Sequence, residues 1–232
     1  MDAIVYRQLI GSLMYLVNTR PDICFSMNTL SQYMVEPRIV HMVGEKHILR
    51  YVVGTMDFFL DYVRGDGVSL VGYTDSDWAG CAADRKSTSG CFFSLGLGLV
   101  SWFSRKQKSV ALSSAEAEYM ADSQSSCEAI CLCKMMVFLF GQEMSPTIIH
   151  CDNQSCIKLS ENPVFHDRSK HIEIIYHFIR DWVQRGAIQL QYIPTDEQVA
   201  DILTKSLLRA KHVYFRDKMG VVSNTFLVKR EC

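Results

Sequence analysis

The sequence predicts a mixed α/β fold: a three-stranded antiparallel meander continued by parallel strands, flanked by helices and preceded by a small helical segment. Three observations predict it. Residues 5 to 55 carry apolar side chains at helical spacing. At residue 58 the pattern changes to strand-like runs punctuated by glycine. From Ser114 onward, helical patterns alternate with short apolar runs, as in α/β crossovers.

The N-terminal helices read as "YRQLIGSLMYLVN", ended by "TRPD"; "DICFSMNTLSQYMV", stopped at Glu36-Pro37; and "VHMVGEKHILRYVVGT", closed by Gly54. Next, "FFLDYVRGDGVSLVGYTD" reads as strand, turn at Gly65-Asp66-Gly67, and strand. "GCFFSLGLGLVSWFS" is a hairpin turning near Gly96 and Gly98, and "KSVALSS" is expected to extend its return strand. A long helix spans about Ser114 to Phe140. "TIIHCD" is a short strand, "NQSCIKLSEN" a helix, and "SKHIEIIYHFIRDWVQRG" a longer amphipathic one. "AIQLQYIPT" is the last strand and "DEQVADILTKSLL" the expected last helix. The division expected is 1–57 for the helical segment, 58–210 for the α/β domain and 211–232 for a tail.

Composition limits the function classes. The 232 residues are 48% apolar, enough for a packed core. Net charge is −1, from 24 Lys and Arg against 25 Asp and Glu. Any nucleic-acid contact must therefore come from local basic patches. The nine cysteines have no zinc spacing and read as buried thiols of a reducing compartment. Apolar runs such as "MMVFLF" fall short of the about 18 residues that span a bilayer, so no membrane partner is expected. Trp78 and Trp102 read as core aromatics.

Four acids stand out by position. Asp75 closes the strand "VGYTD", and Asp152 closes "TIIHCD". Carboxyl ends of strands are the usual place for a site in such folds. "SSAEAEYMA" opens the long helix with Ser113 and Glu116 in a capping box, which leaves Glu118 to lean toward the sheet. "TDEQVAD" repeats the arrangement, with Thr195 and Gln198 as the box and Asp201 one turn on. If Asp75, Glu118, Asp152 and Asp201 converge, cations must neutralise them. Two divalent ions about 3.5–4 Å apart would do so, and oxygen-only ligands favour Mg²⁺ or Mn²⁺. Asp77, two residues after Asp75, is expected where the strand turns, facing Arg85 or Lys86.

These stretches resemble the ribonuclease H domain of copia-type retrotransposon Pol polyproteins. The resemblance runs through "YTDSDWAG", "DRKSTSG", "VSWFSRKQKSVALSSAEAEYMA", "CDNQSCIKLSENPVFHDRSKHIEIIYHFIRD" and "YIPTDEQVADILTK". The earlier "YRQLIGSLMYLVNTRPDICFSMNTLSQYM" and "HILRYVVGT" resemble the end of the reverse transcriptase preceding that domain. The resemblance implies a ribonuclease H-like sheet and hydrolysis of the RNA strand of an RNA/DNA hybrid with two Mg²⁺ or Mn²⁺ ions. Asp75, Glu118, Asp152 and Asp201 match the family's four acids. Asp75 would bridge both ions, Glu118 and Asp152 would hold one, and Asp201 the other. The products would carry 5′-phosphate and 3′-hydroxyl ends. "YIPTDEQVAD" lacks the His that many ribonuclease H members carry before the last acid.

Candidate contacts to the hybrid are Arg85, Lys86 and Ser87 in "DRKSTSG", Arg105, Lys106 and Lys108 in "SRKQK", and Arg168 and Lys170 in "HDRSKH". Asn153 and Gln154 would reach the minor groove or cap the following helix. The reverse transcriptase part of a parent polyprotein is the expected protein partner. The expected location is intracellular, in a cytoplasmic retrotransposon particle or the nucleus. The other reading is a relic that folds, binds nucleic acid and does not cut.

Overall fold

The computed structural model describes residues 2–62, 69–141, 145–161 and 170–224, and within them the side chains outside 170–176. In chain order the elements are α1 (Ala3–Leu16), α2 (Cys24–Ser31), α3 (Ile39–Val53), β1 (Phe58–Leu60), β2 (Leu70–Asp77), β3 (Thr88–Leu95) and β4 (Gly98–Lys106). There follow α4 (Ser114–Phe140), β5 (Thr147–Cys151), α5 (Gln154–Glu161), α6 (Lys170–Gln184), β6 (Ile188–Tyr192), α7 (Arg209–Lys218) and β7 (Val221–Ser223). Short 3-10 turns occupy Pro21–Ile23, Thr195–Glu197 and Val199–Leu203.

Residues up to Tyr62 pack with those from Ser206 onward into one compact unit, and Val63–Lys205 form another. The sequence placed these divisions at 57/58 and 210/211. The reason for the difference is β1, which pairs antiparallel with β7 (Phe58↔Ser223, Leu60↔Val221). The expected hairpin between "FFL" and the following strand is therefore replaced by a separate two-stranded ribbon; its turn, residues 65–67, lies outside the described residues. The expected tail instead supplies a helix and a strand. No local pattern announces so distant a partner for a three-residue strand.

In the first unit, the stripe Tyr6, Ile10 and Leu13 of α1 meets Ile23, Met27 and Ile48. "TRPD" does more than end α1. Arg20 grips Asp22 with two parallel bonds, Nε to Oδ1 at 2.9 Å and Nη2 to Oδ2 at 2.8 Å, both residues being buried. Arg20 also donates to Thr55 O and Oγ1, and Tyr51 OH donates to Asp22 Oδ2 at 2.7 Å. Burial, Asp22's charge and that hydrogen bond push the Tyr51 hydroxyl up to about 12.

The second unit is a five-stranded sheet in the order β4-β3-β2-β5-β6. β2, β3 and β4 form the antiparallel meander, and β5 and β6 run parallel to β2. This is the predicted ribonuclease H-like mixed sheet. Phe93, Phe103, Tyr119, Ile149, Ile179 and Leu190 belong to one core between strands and helices. "KSVALSS" does not extend β4, because Gln107 turns inward. Its Nε2 donates to Ser76 Oγ, Ser89 Oγ and Ala117 O at 3.2, 2.9 and 2.9 Å, tying three elements together. Trp78 is 53% exposed rather than a core aromatic, its indole donating to Ala111 O.

α4 is the predicted long helix. Ser113 Oγ accepts from Glu116 N, while Glu116 Oε2 accepts from Leu112 N, one residue before the expected cap. By length and composition alone, α4 could cross a membrane, unlike the short runs considered above. Its N-terminal half instead packs on β2 and β3 and buries Glu116, Glu118 and Asp122.

Candidate active site

β2 continues through Asp77, so Asp75 and Asp77 point to one face. Their surroundings separate them. Asp75 is 1% exposed; its Oδ2 accepts from Thr204 Oγ1 and lies 3.5 Å from Lys205 Nζ. Burial pushes it up to about 7; Lys205 opposes this, and Asp201 and Asp152 add to it. Asp77 accepts from the Thr88 N–H at the strand end, and burial pushes it up to about 6. That bond, not Arg85 or Lys86, answers Asp77, because the strand does not turn before it. Gly80 follows from this geometry: a Cβ there would overlap the Asp77 carboxylate.

Glu118 projects from the beginning of α4. It is 7% exposed, and its Oε2 has no hydrogen-bond partner. Burial first, then the charges of Asp75, Asp122 and Asp152, raises its pKa well above the ordinary value. Asp152 follows β5 and accepts from Thr195 Oγ1 at 2.9 Å. Single ligand atoms of Glu118, Asp152 and Cys151 all lie within 4.8 Å of one another. Asp201 is 2% exposed and lies 2.8 Å from Lys205 Nζ. The fold thus brings Asp75, Glu118, Asp152 and Asp201 together: Glu118 lies beside Asp152, Lys205 joins Asp75 to Asp201, and the charges of Asp152 and Asp201 act on Asp75.

The expected last helix is two 3-10 turns. Thr195 and Gln198 do not form a capping box: Thr195 serves Asp152, and Gln198 ties the turn to the sheet. Its Nε2 donates to Thr74 O at 2.9 Å and its Oε1 accepts from Ala200 N. The turn then packs on the backbone of β3. A Cβ at Gly90 would come 2.7 Å from Leu203 Cβ and Thr204 Cγ2. Gly90→Ala should therefore push Thr204 and Asp201 away from Asp75. We expect a cost of about 1–3 kcal/mol in urea unfolding; a neutral result would contradict this packing.

Several site residues carried no isolated sequence signal. Asp122 lies one turn beyond Glu118 and is fully buried, with the Cys151 thiol 3.8 Å from its Oδ2. Burial pushes it up to about 8. Thr204, Lys205 and Cys151 were also missed. The spacing of four from Glu118 to Asp122, and from Asp201 to Lys205, was the available clue. Asp122 binds its proton more tightly folded than unfolded. Its stabilising contribution is complete below the ordinary carboxylate value and is lost as pH rises toward about 8. In the absence of divalent ions, Asp122→Asn should flatten the fall of stability between pH 5 and 7 by up to about 1.4 kcal/mol per pH unit. Unfolding midpoints across that range measure it; an unchanged slope would refute it.

The substrate candidates divide. Arg85, Arg105 and Lys108 are exposed, Arg105 lying over the Phe103 ring at 4.5 Å. Lys86 is half-buried. Ser87 is fully buried, and its Oγ accepts from Ala79 N, so it shapes the loop. Lys106 is held by Asp84 at 2.9 Å and Cys81 Sγ at 3.0 Å. Asn153 Oδ1 accepts from Ser155 N and Cys156 N, taking the capping role, and Gln154 is exposed on α5. Arg168 and the Lys170 side chain lie outside the described residues.

Divalent cations fit this donor set: hard carboxylate oxygens converge, and the buried Oε2 of Glu118 lacks a partner. The eight described cysteines are free thiols.

No family model matches the chain. It is 44% identical over 221 residues to the retrovirus-related Pol polyprotein from transposon RE2 of Arabidopsis thaliana, covering 95% of this chain and 15% of that protein. It is 40% identical over 225 residues to the corresponding polyprotein from transposon TNT 1-94 of Nicotiana tabacum, covering 97% and 17%. The chain thus spans about a sixth of such relatives at most. Among solved structures it is similar in fold to the foamy viral protease-reverse transcriptase in complex with RNA/DNA hybrid. That likeness has a TM-score of 0.52 and 15% identity, covering 80% of this chain and 24% of the other. With likeness along nearly its whole length, the chain is similar to a segment of the retrovirus-related Pol polyproteins of plant transposons, and its second unit has the predicted ribonuclease H-like fold.

Proposed function

We propose that the second unit is a metal-dependent endonuclease that hydrolyses the RNA strand of RNA/DNA hybrids. The observation that carries this reading is the acid cluster. Four carboxylates from β2, α4, the end of β5 and the 3-10 turn converge, most of them buried. Such a group is stable only with cations or protons, and its ligands are those of a hard divalent ion. A solved structure of similar fold holds an RNA/DNA hybrid, which supports that substrate class.

In this reading Asp75, Glu118, Asp152 and Asp201 hold two Mg²⁺ or Mn²⁺ ions. Bound there, such ions would lower the pKa of a water and stabilise the leaving 3′-oxygen. Asp75 responds to both Asp152 and Asp201, which suits it to be the shared ligand. Thr195 fixes Asp152, and the Gln198 bond to Thr74 holds the Asp201 turn against the strand carrying Asp75. Arg85, Arg105 and Lys108 are exposed cations for the phosphate backbone. The reverse transcriptase part of a parent polyprotein is the partner in this reading, supported by the likeness of the chain to Pol polyproteins and to a protease-reverse transcriptase fold.

The test is cleavage of an RNA/DNA hybrid with Mg²⁺ or Mn²⁺, beside Asp152→Asn and a chelator control. Cleavage should need the metal and fall at least about a hundredfold in the variant. Absence of cleavage at every metal level would sink the proposal, and hybrid binding without cleavage would leave the relic reading.

A further inference from the structure

The acid cluster already contains a cation of its own. Lys205 Nζ lies 2.8 Å from Asp201 Oδ1 and 3.5 Å from Asp75 Oδ2. It comes from the residue after Thr204, whose hydroxyl donates to the same Asp75 oxygen. The cluster is therefore asymmetric. The chain itself supplies one ammonium to the Asp75–Asp201 side, whereas Glu118 Oε2 is buried without a hydrogen-bond partner. The Lys205 side chain is 37% exposed, so its ammonium can leave the acids for water by rotating its stem. Lysine suits such an exchange, being a strongly hydrated point charge on a flexible chain.

We propose that Lys205 is a tethered counter-ion of the cluster. It holds Asp75 and Asp201 together in the metal-free protein and competes with divalent cations for the same oxygens. It thereby sets the concentration at which the site fills. This inference rests on the metal-dependent reading above. On the Glu118–Asp152 side an ion meets no ammonium among the described residues and finds Glu118 Oε2 without a hydrogen-bond partner; on the Asp75–Asp201 side it must displace the ammonium. Lys205 acts on the chemistry only through those acids, as a positioning residue.

The experiment is calorimetric titration of Mn²⁺ and Mg²⁺ into the full chain without nucleic acid, for the parent, Asp152→Asn, Lys205→Met and Lys205→Arg. Lys205→Met should unfold several degrees earlier without metal, yet bind Mn²⁺ about tenfold tighter, because no ammonium is displaced. Lys205→Arg keeps a permanent charge with a forked grip on carboxylates, and should bind Mn²⁺ more weakly than the parent. A lysine that merely props the turn also predicts lower stability for Met, but with weaker metal binding. Parent-like or weaker Mn²⁺ binding by Lys205→Met would overturn the proposal. If that variant does not fold, Arg binding as tightly as the parent, or more tightly, overturns it. Parent protein that binds neither ion removes the metal-dependent reading and this inference together. Metal binding by the parent, weakened in Asp152→Asn but unmoved in the Lys205 variants, removes this inference alone.

Discussion

Replacing Asp75 with Asn should lower Mg²⁺-dependent cleavage of an RNA/DNA hybrid by at least about a thousandfold, while making the metal-free protein more stable. Both effects have one cause. Asp75 is almost fully buried among acids, and its carboxylate is held up to about 7 by burial against the pull of Lys205. An amide keeps the shape and can still accept from Thr204, but it no longer repels Asp201 and Asp152. It also binds a divalent ion poorly. Asp77→Asn is the matched control on the same face of β2. Its carboxylate answers the Thr88 N–H, a role an amide oxygen can fill. Cleavage should stay within about tenfold of the parent there, since no ion contact is lost. Single-turnover kinetics and denaturation midpoints read both variants. An Asp75→Asn protein that still cleaves within tenfold of the parent would remove Asp75 from the site.

The second large effect falls on the first unit. Asp22→Ala should destabilise that unit by about 3–5 kcal/mol, because it strands a buried guanidinium. Arg20 is clamped by Asp22 through two bonds and by Thr55 through two more, and water does not reach the pair. Tyr51 loses its acceptor in the same change. Arg20→Met with Asp22→Leu should cost much less, since neither charge remains to be desolvated. Hydrogen exchange of the α2 and α3 amides reports this unit separately from the sheet. Equal protection in Asp22→Ala and the parent would show that the pair contributes nothing.

The legible parts of this chain share a physical trait: their signal is local. The 3.6-residue spacing of Tyr6, Ile10 and Leu13 is a property of neighbouring residues, and it does form α1. The Gly-punctuated hairpin of β3 and β4, and α4 from Ser114 to Phe140, were legible for the same reason. So was Asp152, just past the apolar run of β5, whereas Asp75, picked out the same way, lies inside β2, which runs on through Asp77. The misread segments depend on distant partners. "DEQVADIL" has helical spacing, yet Gln198 is drawn to Thr74 and the turn lies on Gly90, leaving room only for tight 3-10 turns. Asp77 was placed beyond the strand because nothing in "YTDSDW" shows that Thr88 will extend the ladder to meet it.

From the linear order alone came the class of fold, the strand sequence of the meander and four acids at telling positions. Those depend on periodicity and on where a run ends, and each residue carries that information beside it. The three-dimensional packing supplied everything that depends on a neighbour across the fold. It set the β1–β7 ribbon, the buried Arg20–Asp22 clamp, the depth of Asp122, and the placing of Lys205 between two acids. Burial and charge act through distance in space, and a residue's desolvation is decided by the side chains folded over it rather than by those that precede it.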